Sequence, residues 1–123
     1  MYRISVEQHF DAAHALRGYK GKCEALHGHR FRVVARVEAP ALDDIGLAYD
    51  FTELKAHLSD IITRFDHTTL NDISPFDKLN PSSENIAANI YEELKCRLSR
   101  DKITLTAVEV WESPQTGVSY SPD

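Results

Sequence analysis

At 123 residues the chain has the length of one domain with its own core, and such a domain needs no disulfide or structural-metal staple. Its 14 Lys and Arg against 19 Asp and Glu give a formal charge of -5, which excludes broad electrostatic attraction to nucleic acid or an anionic membrane and leaves room for a local basic pocket. Two cysteines, Cys23 in a His-rich loop and Cys96 in a predicted helix, lack the density of a secreted disulfide scaffold. The first residues hold no long apolar run, and nowhere do about 18 consecutive apolar residues occur. The expectation is one cytoplasmic domain over residues 1–123.

Residues 2–10 alternate, with Tyr2, Ile4, Val6 and Phe10 opposite Arg3, Ser5, Glu7 and His9, which predicts a strand. Residues 17–26, rich in Gly and Lys, read as a loop carrying Cys23. Residues 29–38 alternate again, Phe31, Val33, Ala35 and Val37 opposite Arg30, Arg32 and Arg36, giving a second strand antiparallel to the first. A turn region at 40–46 leads to a helix over 52–65, capped by Asp50 or Thr52, with Leu54, Leu58, Ile61, Ile62 and Phe65 at helical spacing. Past Pro75 and Pro81, Ser82 or Ser83 starts a second helix that buries Ile86, Ile90, Tyr91, Leu94 and Leu98. Cys96 falls off that stripe and is assigned no chemistry. Residues 102–111 and 115–120 form the last two strands, joined by a hairpin turn at 113–116. In the third strand Thr104, Thr106, Val108 and Val110 lie opposite Ile103, Leu105, Ala107, Glu109 and Trp111.

The order strand, strand, helix, helix, strand, strand predicts an α+β fold, a four-stranded antiparallel sheet with two helices on one face. A sheet covered on one side leaves its edges in need of shelter, which neighbouring subunits would provide.

Three of the six histidines converge on one stretch, His14 in Phe10-Asp-Ala-Ala-His14 and the pair in Cys23-Glu24-Ala-Leu-His27-Gly-His29. Two residues apart on a strand, His27 and His29 share a face. With His14 they form a three-nitrogen set suited to zinc, and the fourth tetrahedral position stays open for chemistry. Gly28 is expected to let the backbone bend closely there. His9 and His57 read as strand and helix-flank residues. Cys23 has two readings: a thiolate whose pKa the metal lowers, acting as a base, or a fourth ligand that closes the site. Glu24 gains interest only from these neighbours.

Asp66-His67 follows the first helix. A carboxylate beside an imidazole suits a proton shuttle, although adjacent residues rarely bond directly, so an indirect partnership is expected; a histidine at a helix C-terminus is the alternative. Glu112, at the end of the third strand, can accept paired N–H bonds from a guanidine-like ring edge. Glu109 competes for that role and ranks lower because it shares a face with Leu105 and Ala107. Arg17, Lys20 and Lys22 are candidates for binding phosphate, with a solvated loop the plainer reading.

The ordered motifs Phe10-Asp-Ala-Ala-His14, Cys23-x-x-x-His27-Gly-His29, Tyr49-Asp-Phe51 with Leu54-Lys55, Asp66-His67-x-x-Leu70-Asn71, Asn80-Pro-Ser-Ser-Glu84-Asn85 and Val110-Trp-Glu112 make the chain resemble the 6-pyruvoyl-tetrahydropterin synthase and 6-carboxytetrahydropterin synthase family. The resemblance implies the tunnelling fold, commonly two stacked trimers forming a homohexamer with pterin sites at subunit interfaces. It implies Zn2+ on His14, His27 and His29, Cys23 as general base, His67 with Asp66 as proton relay and Glu112 as the anchor of the pterin amino-pyrimidine edge. Ser82, Ser83 and Glu84 would line the pterin pocket, although a helix cap accounts for either serine. No redox cofactor is implied.

Three residues between Cys23 and His27 look like the bacterial queuosine branch. That branch converts 7,8-dihydroneopterin triphosphate to 6-carboxy-5,6,7,8-tetrahydropterin, acetaldehyde and triphosphate. Cys23-Glu24 also resembles a subset in which a glutamate serves 6-hydroxymethyl-dihydropterin formation for folate, so a second activity through Glu24 is an open alternative. A biopterin-type 6-pyruvoyl product and a non-catalytic zinc- or pterin-binding module are the others.

Overall fold

The computed structural model describes residues 1–21, 24–99 and 101–123. Among these, β1 (Tyr2–His14) and β2 (His27–Ala39) pair antiparallel along their whole length, from Tyr2 opposite Ala39 to His14 opposite His27. β1 therefore runs beyond the expected end at Phe10. Ala12 and His14 continue its buried face, but alanines and a histidine do not announce themselves as core residues.

α1 (Phe51–Ile62) begins where Asp50 accepts a 2.8 Å bond from the Thr52 amide. It ends at Ile62, short of the expected 65, and Phe65 reaches the core from the following turn. A two-residue strand, β3 (Thr68–Thr69), then lies parallel to β1 at Ala12 and Ala13. α2 (Ser83–Arg97) is capped by Ser82, whose side chain accepts from the Asn85 amide at 3.1 Å. β4 (Thr104–Trp111) and β5 (Gly117–Tyr120) close the chain as a hairpin.

The sheet is α+β in the expected sense, with both helices contributing to one core, but it has five strands among the described residues, ordered β3-β1-β2-β4-β5, rather than four. The fifth is β3, too short to carry an alternating pattern. Strict alternation also fails in β4: the register with β2 shifts between Arg36 and Val37, so that Leu105 joins Val108 and Val110 inside. A bulge of this kind leaves one residue unpaired, here Thr106, whose hydroxyl donates to the Arg36 carbonyl at 3.0 Å.

Phe10, Phe31, Phe65 and Phe76 are fully buried with the aliphatic faces of α1 and α2. Phe31 stacks on Phe10 at 4.9 Å between ring centroids and meets the rings of His14 and His29 edge-on at 5.2 and 5.6 Å. The histidines thus stand on the core side of the sheet, at the end of the β1–β2 ladder.

Candidate metal centre

The β1–β2 register places His14 opposite His27 and Ala12 opposite His29. With His27 and His29 on one face, the three rings crowd together, their centroids 4.6, 4.8 and 5.4 Å apart, and one nitrogen from each lies within 4.8 Å of the others. Gly28 is not needed for a close bend: it pairs with Ala13 in the ladder, and an added Cβ would meet the Ala12 carbonyl at an ordinary 3.8 Å.

Backbone carbonyls fix the orientation of two rings. His14 Nδ1 lies 2.7 Å from the Pro81 carbonyl and His27 Nδ1 lies 2.8 Å from that of Ala25. A carbonyl only accepts, so each Nδ1 carries a proton and leaves Nε2 as the nitrogen able to bind a metal, the arrangement found behind metal-bound histidines. His14 Nε2 is buried with no hydrogen-bond partner among the described residues. Burial holds the His14 pKa below its ordinary value, with the neighbouring His27 and His29 acting in the same direction against the Pro81 bond. A bare imidazole nitrogen inside a protein is costly unless something fills its lone pair, and with the neighbouring His27 and His29 nitrogens it makes a set that fits a tetrahedral metal with one position open. Cys23 and Lys22 lie outside the described residues.

Glu112 completes the rim. Its Oε2 is 3.9 Å from His14 Nε2 and 3.8 Å from His29 Nε2, and the carboxylate is about one-third exposed. Glu109, the competitor, is committed elsewhere: it accepts from Arg36 Nε at 2.6 Å and Trp111 Nε1 at 3.0 Å, and the Arg36 bond leads the contacts that hold its pKa below the usual carboxylate value. A cleft of about 180 Å³ beside His14 and Glu112 is lined by Ser82, Ser83, Glu84 and β5. The structure thus brings Ser82, Ser83 and Glu84 to the cluster, although the Ser82 hydroxyl is already the α2 cap. Glu24 is exposed.

Asp66 and His67 are placed at the outer edge of β1. The Asp66 Oδ1 accepts the Asp11 amide at 2.8 Å, and the His67 amide donates to the Asp11 carbonyl at 2.6 Å. Contrary to the expectation of an indirect partnership, His67 Nδ1 sits 3.0 Å from Asp66 Oδ2. His67 adopts φ 58°, a left-handed backbone that turns its ring back onto the preceding side chain. The Asp11 amide first, and then His67, lower the Asp66 pKa.

Several supports have no obvious sequence signal. Asn71 clasps Ala15, donating to its carbonyl and accepting its amide at 2.9 Å, and Asn80 clasps Arg17 in the same way. Both asparagines stand in motifs quoted above, but only the fold shows that they fasten the segment after His14. The Arg17 guanidinium donates to the carbonyls of Phe76, Asn71 and Leu79, so this candidate for phosphate is used in binding backbone.

The fold recurs among known proteins. The family described as 6-pyruvoyl tetrahydropterin synthase matches residues 3–123. The chain belongs to that family. A 6-carboxy-5,6,7,8-tetrahydropterin synthase of Synechocystis is 40% identical over 98% of this chain and 93% of its own length. The Bacillus subtilis protein of the same name is 31% identical over 98% and 86%. Among solved structures, the Caenorhabditis elegans 6-pyruvoyl tetrahydropterin synthase superposes with a TM-score of 0.83 at 27% identity, covering 100% of this chain and 98% of that one. This member of the family is therefore an enzyme of pterin synthesis. Among the described residues no helix is long and apolar enough to cross a membrane.

Proposed function

We propose that the chain is a zinc-dependent carbon–carbon lyase that converts 7,8-dihydroneopterin triphosphate and one water to 6-carboxy-5,6,7,8-tetrahydropterin, acetaldehyde and triphosphate, a step toward queuosine and other 7-deazaguanines. The observation that carries the metal-centred part is the bare, buried Nε2 of His14 facing His27 and His29. The names of the Synechocystis and Bacillus relatives and the three-residue gap between Cys23 and His27 support the choice of reaction.

His14, His27 and His29 would hold the zinc, which supplies a Lewis acid for the substrate side-chain oxygens. Cys23 serves as the base that removes a side-chain proton. His67, oriented by Asp66, exchanges protons with solvent and substrate. Glu112 accepts the amino-pyrimidine edge, with Ser83 and Glu84 beside the ring. His67 stands at a sheet edge where β3 covers only Ala12 and Ala13 of β1, and much of the remaining edge is open among the described residues. That open edge favours assembly with further copies, two stacked trimers on the family pattern, and two cysteines without the density of a disulfide scaffold fit the cytoplasm.

Glu24 beside Cys23 favours a second reading in addition to the first: formation of 6-hydroxymethyl-dihydropterin with Glu24 assisting. Retention of full hydroxymethylpterin formation by Glu24→Ala would remove it. The main reaction is tested by incubating zinc-loaded protein with 7,8-dihydroneopterin triphosphate and weighing the pterin product while trapping acetaldehyde. Appearance of 6-carboxy-5,6,7,8-tetrahydropterin with acetaldehyde supports the lyase. A 6-pyruvoyl product assigns the biopterin reaction, and no modified pterin assigns a binding module.

A further inference from the structure

The sheet face turned away from the helices carries Arg3, Arg30, Arg32 and Arg36 on a chain whose net charge is -5. Toward one end these charges are matched: Arg3 Nε bonds Glu38 at 2.8 Å and Arg36 Nε bonds Glu109 at 2.6 Å. Toward the end that holds Glu112 the pairing is looser, although Asp11 stands opposite Arg30 in the ladder. Arg30 is exposed and makes no ion pair among the described residues. Arg32 reaches Glu7 only at 3.6 Å, longer than the roughly 2.7–2.9 Å of a charge-assisted hydrogen bond. His9 lies 3.9 Å from the same Glu7.

These groups line a cleft of about 460 Å³ with Trp111, Glu112 and Ser113. The volume falls within the roughly 300–1,000 Å³ of small-molecule sites. Glu112 stands where this cleft meets the metal centre, with its Oε2 3.9 and 3.8 Å from the Nε2 atoms of His14 and His29.

One arginine is held ready. Arg32 lies over the Trp111 ring with its guanidinium carbon 5.1 Å from the centroid. The ring is itself fixed, since Trp111 Nε1 donates to Glu109 Oε1 at 3.0 Å and Gly117 is its cross-strand neighbour. A Cβ at Gly117 would fall 2.2 Å from the indole, so the indole lies flat against glycine backbone. Stacking orients a guanidinium while leaving its in-plane N–H groups available, and that planar fork matches phosphate oxygens in pairs.

We propose that Arg30, Arg32 and His9 form an oligophosphate-binding site on the helix-free face, adjoining the metal centre through Glu112. Two sources share this chemistry. One is the triphosphate of the pterin substrate, an assignment that rests on the function proposed above. The cleft beside His14, at about 180 Å³, is smaller than usual small-molecule sites, and Glu112 lines both clefts. The other source is a separate oligophosphate that binds independently of the pterin.

Calorimetric titration of inorganic tripolyphosphate into the zinc-loaded protein tests the site without turnover, with zinc content measured before and after. Arg30→Ala and Arg32→Ala should each weaken binding about tenfold or more, the usual effect of losing a charge-assisted contact. Arg3→Ala, on the same face but paired with Glu38, should leave it unchanged. Arg32→Lys keeps the charge and loses the stacked fork, so it should still bind several-fold more weakly if Arg32→Ala does not fold. Equal binding by wild type, Arg30→Ala and Arg32→Lys overturns the site.

Steady-state inhibition then separates the sources. Competitive inhibition by tripolyphosphate, with KM raised and kcat kept in Arg30→Ala, assigns the substrate tail; noncompetitive inhibition assigns a separate ligand. Arginine-dependent binding by a protein that turns over no pterin would keep the anion site and reject the proposed reaction. Product formation with arginine-independent binding would do the reverse.

Discussion

His14 Nδ1 is tied to the Pro81 carbonyl at 2.7 Å, and that single contact commits the opposite nitrogen of the ring to whatever the cluster binds. The carbonyl precedes α2 and the ring ends β1, so the helix entrance and the longest ladder of the sheet meet at the metal centre. Phe31 supports the same ring from below. Phe31→Ala should lower stability by about 3–5 kcal/mol, as for other buried aromatic deletions, and should weaken zinc retention as His14 and His29 lose their packing. Denaturant unfolding together with a competitive zinc titration measures both. Loss of stability with zinc affinity untouched would show that the Phe31 packing does not hold the rings in place for the metal.

The Asp66–His67 contact makes a kinetic prediction. His67→Ala should reduce kcat by about 10²–10⁴, the range of general acid–base effects, while zinc content stays at the wild-type level. Asp66→Asn should reduce kcat less, because an amide oxygen can still accept the Asp11 amide. The pH–rate profile distinguishes this role from a structural one: losing the relay alters the profile, whereas simple misplacement lowers all rates alike.

Ser82 stands in the cleft and caps α2. If the cap is its main role, Ser82→Ala costs about 1 kcal/mol of stability and changes kcat/KM by less than about threefold. Ser82→Gly, a milder cap change, restores most of that loss. Thermal denaturation beside steady-state kinetics separates the roles, and a fall in kcat/KM at unchanged stability would place the hydroxyl on substrate.

Glu109 gives a pH prediction with a definite sign. Its folded pKa lies below the ordinary 4.5, chiefly through the Arg36 bond, so the folded state binds fewer protons than the unfolded chain as pH falls below that value. The stabilisation is present above 4.5 and is lost as pH drops through the folded pKa. Glu109→Gln should therefore be less stable than wild type by about 1 kcal/mol at pH 7, and the gap should close in the acid range. Urea unfolding at pH 7 and at successively lower pH reads it directly.

The main architecture is legible because β2 alternates apart from Val34 and both helices carry regular apolar stripes. Legibility fails where the physics is local. Ala12 and His14 extend β1 through backbone pairing rather than hydrophobic pattern. Leu105 turns inward because a bulge breaks the period of two. Asp66 and His67 touch through a left-handed backbone that adjacent positions in sequence do not imply. The three histidines are visible from spacing, but the carbonyls of Pro81 and Ala25 that orient His14 and His27 are not, since any residue can offer a carbonyl. Arg17 shows the converse: its charge suggested a ligand, and the fold uses it to bind three backbone oxygens.

An open three-histidine centre requires Cys23 to act beside the metal rather than on it. Metal analysis and turnover of Cys23→Ala test this most directly. Cys23→Ala should hold about one zinc per chain, as in wild type, with formation of 6-carboxy-5,6,7,8-tetrahydropterin abolished. Loss of zinc together with activity would make Cys23 a fourth ligand of a closed site, and full turnover with zinc retained would remove it from the chemistry altogether.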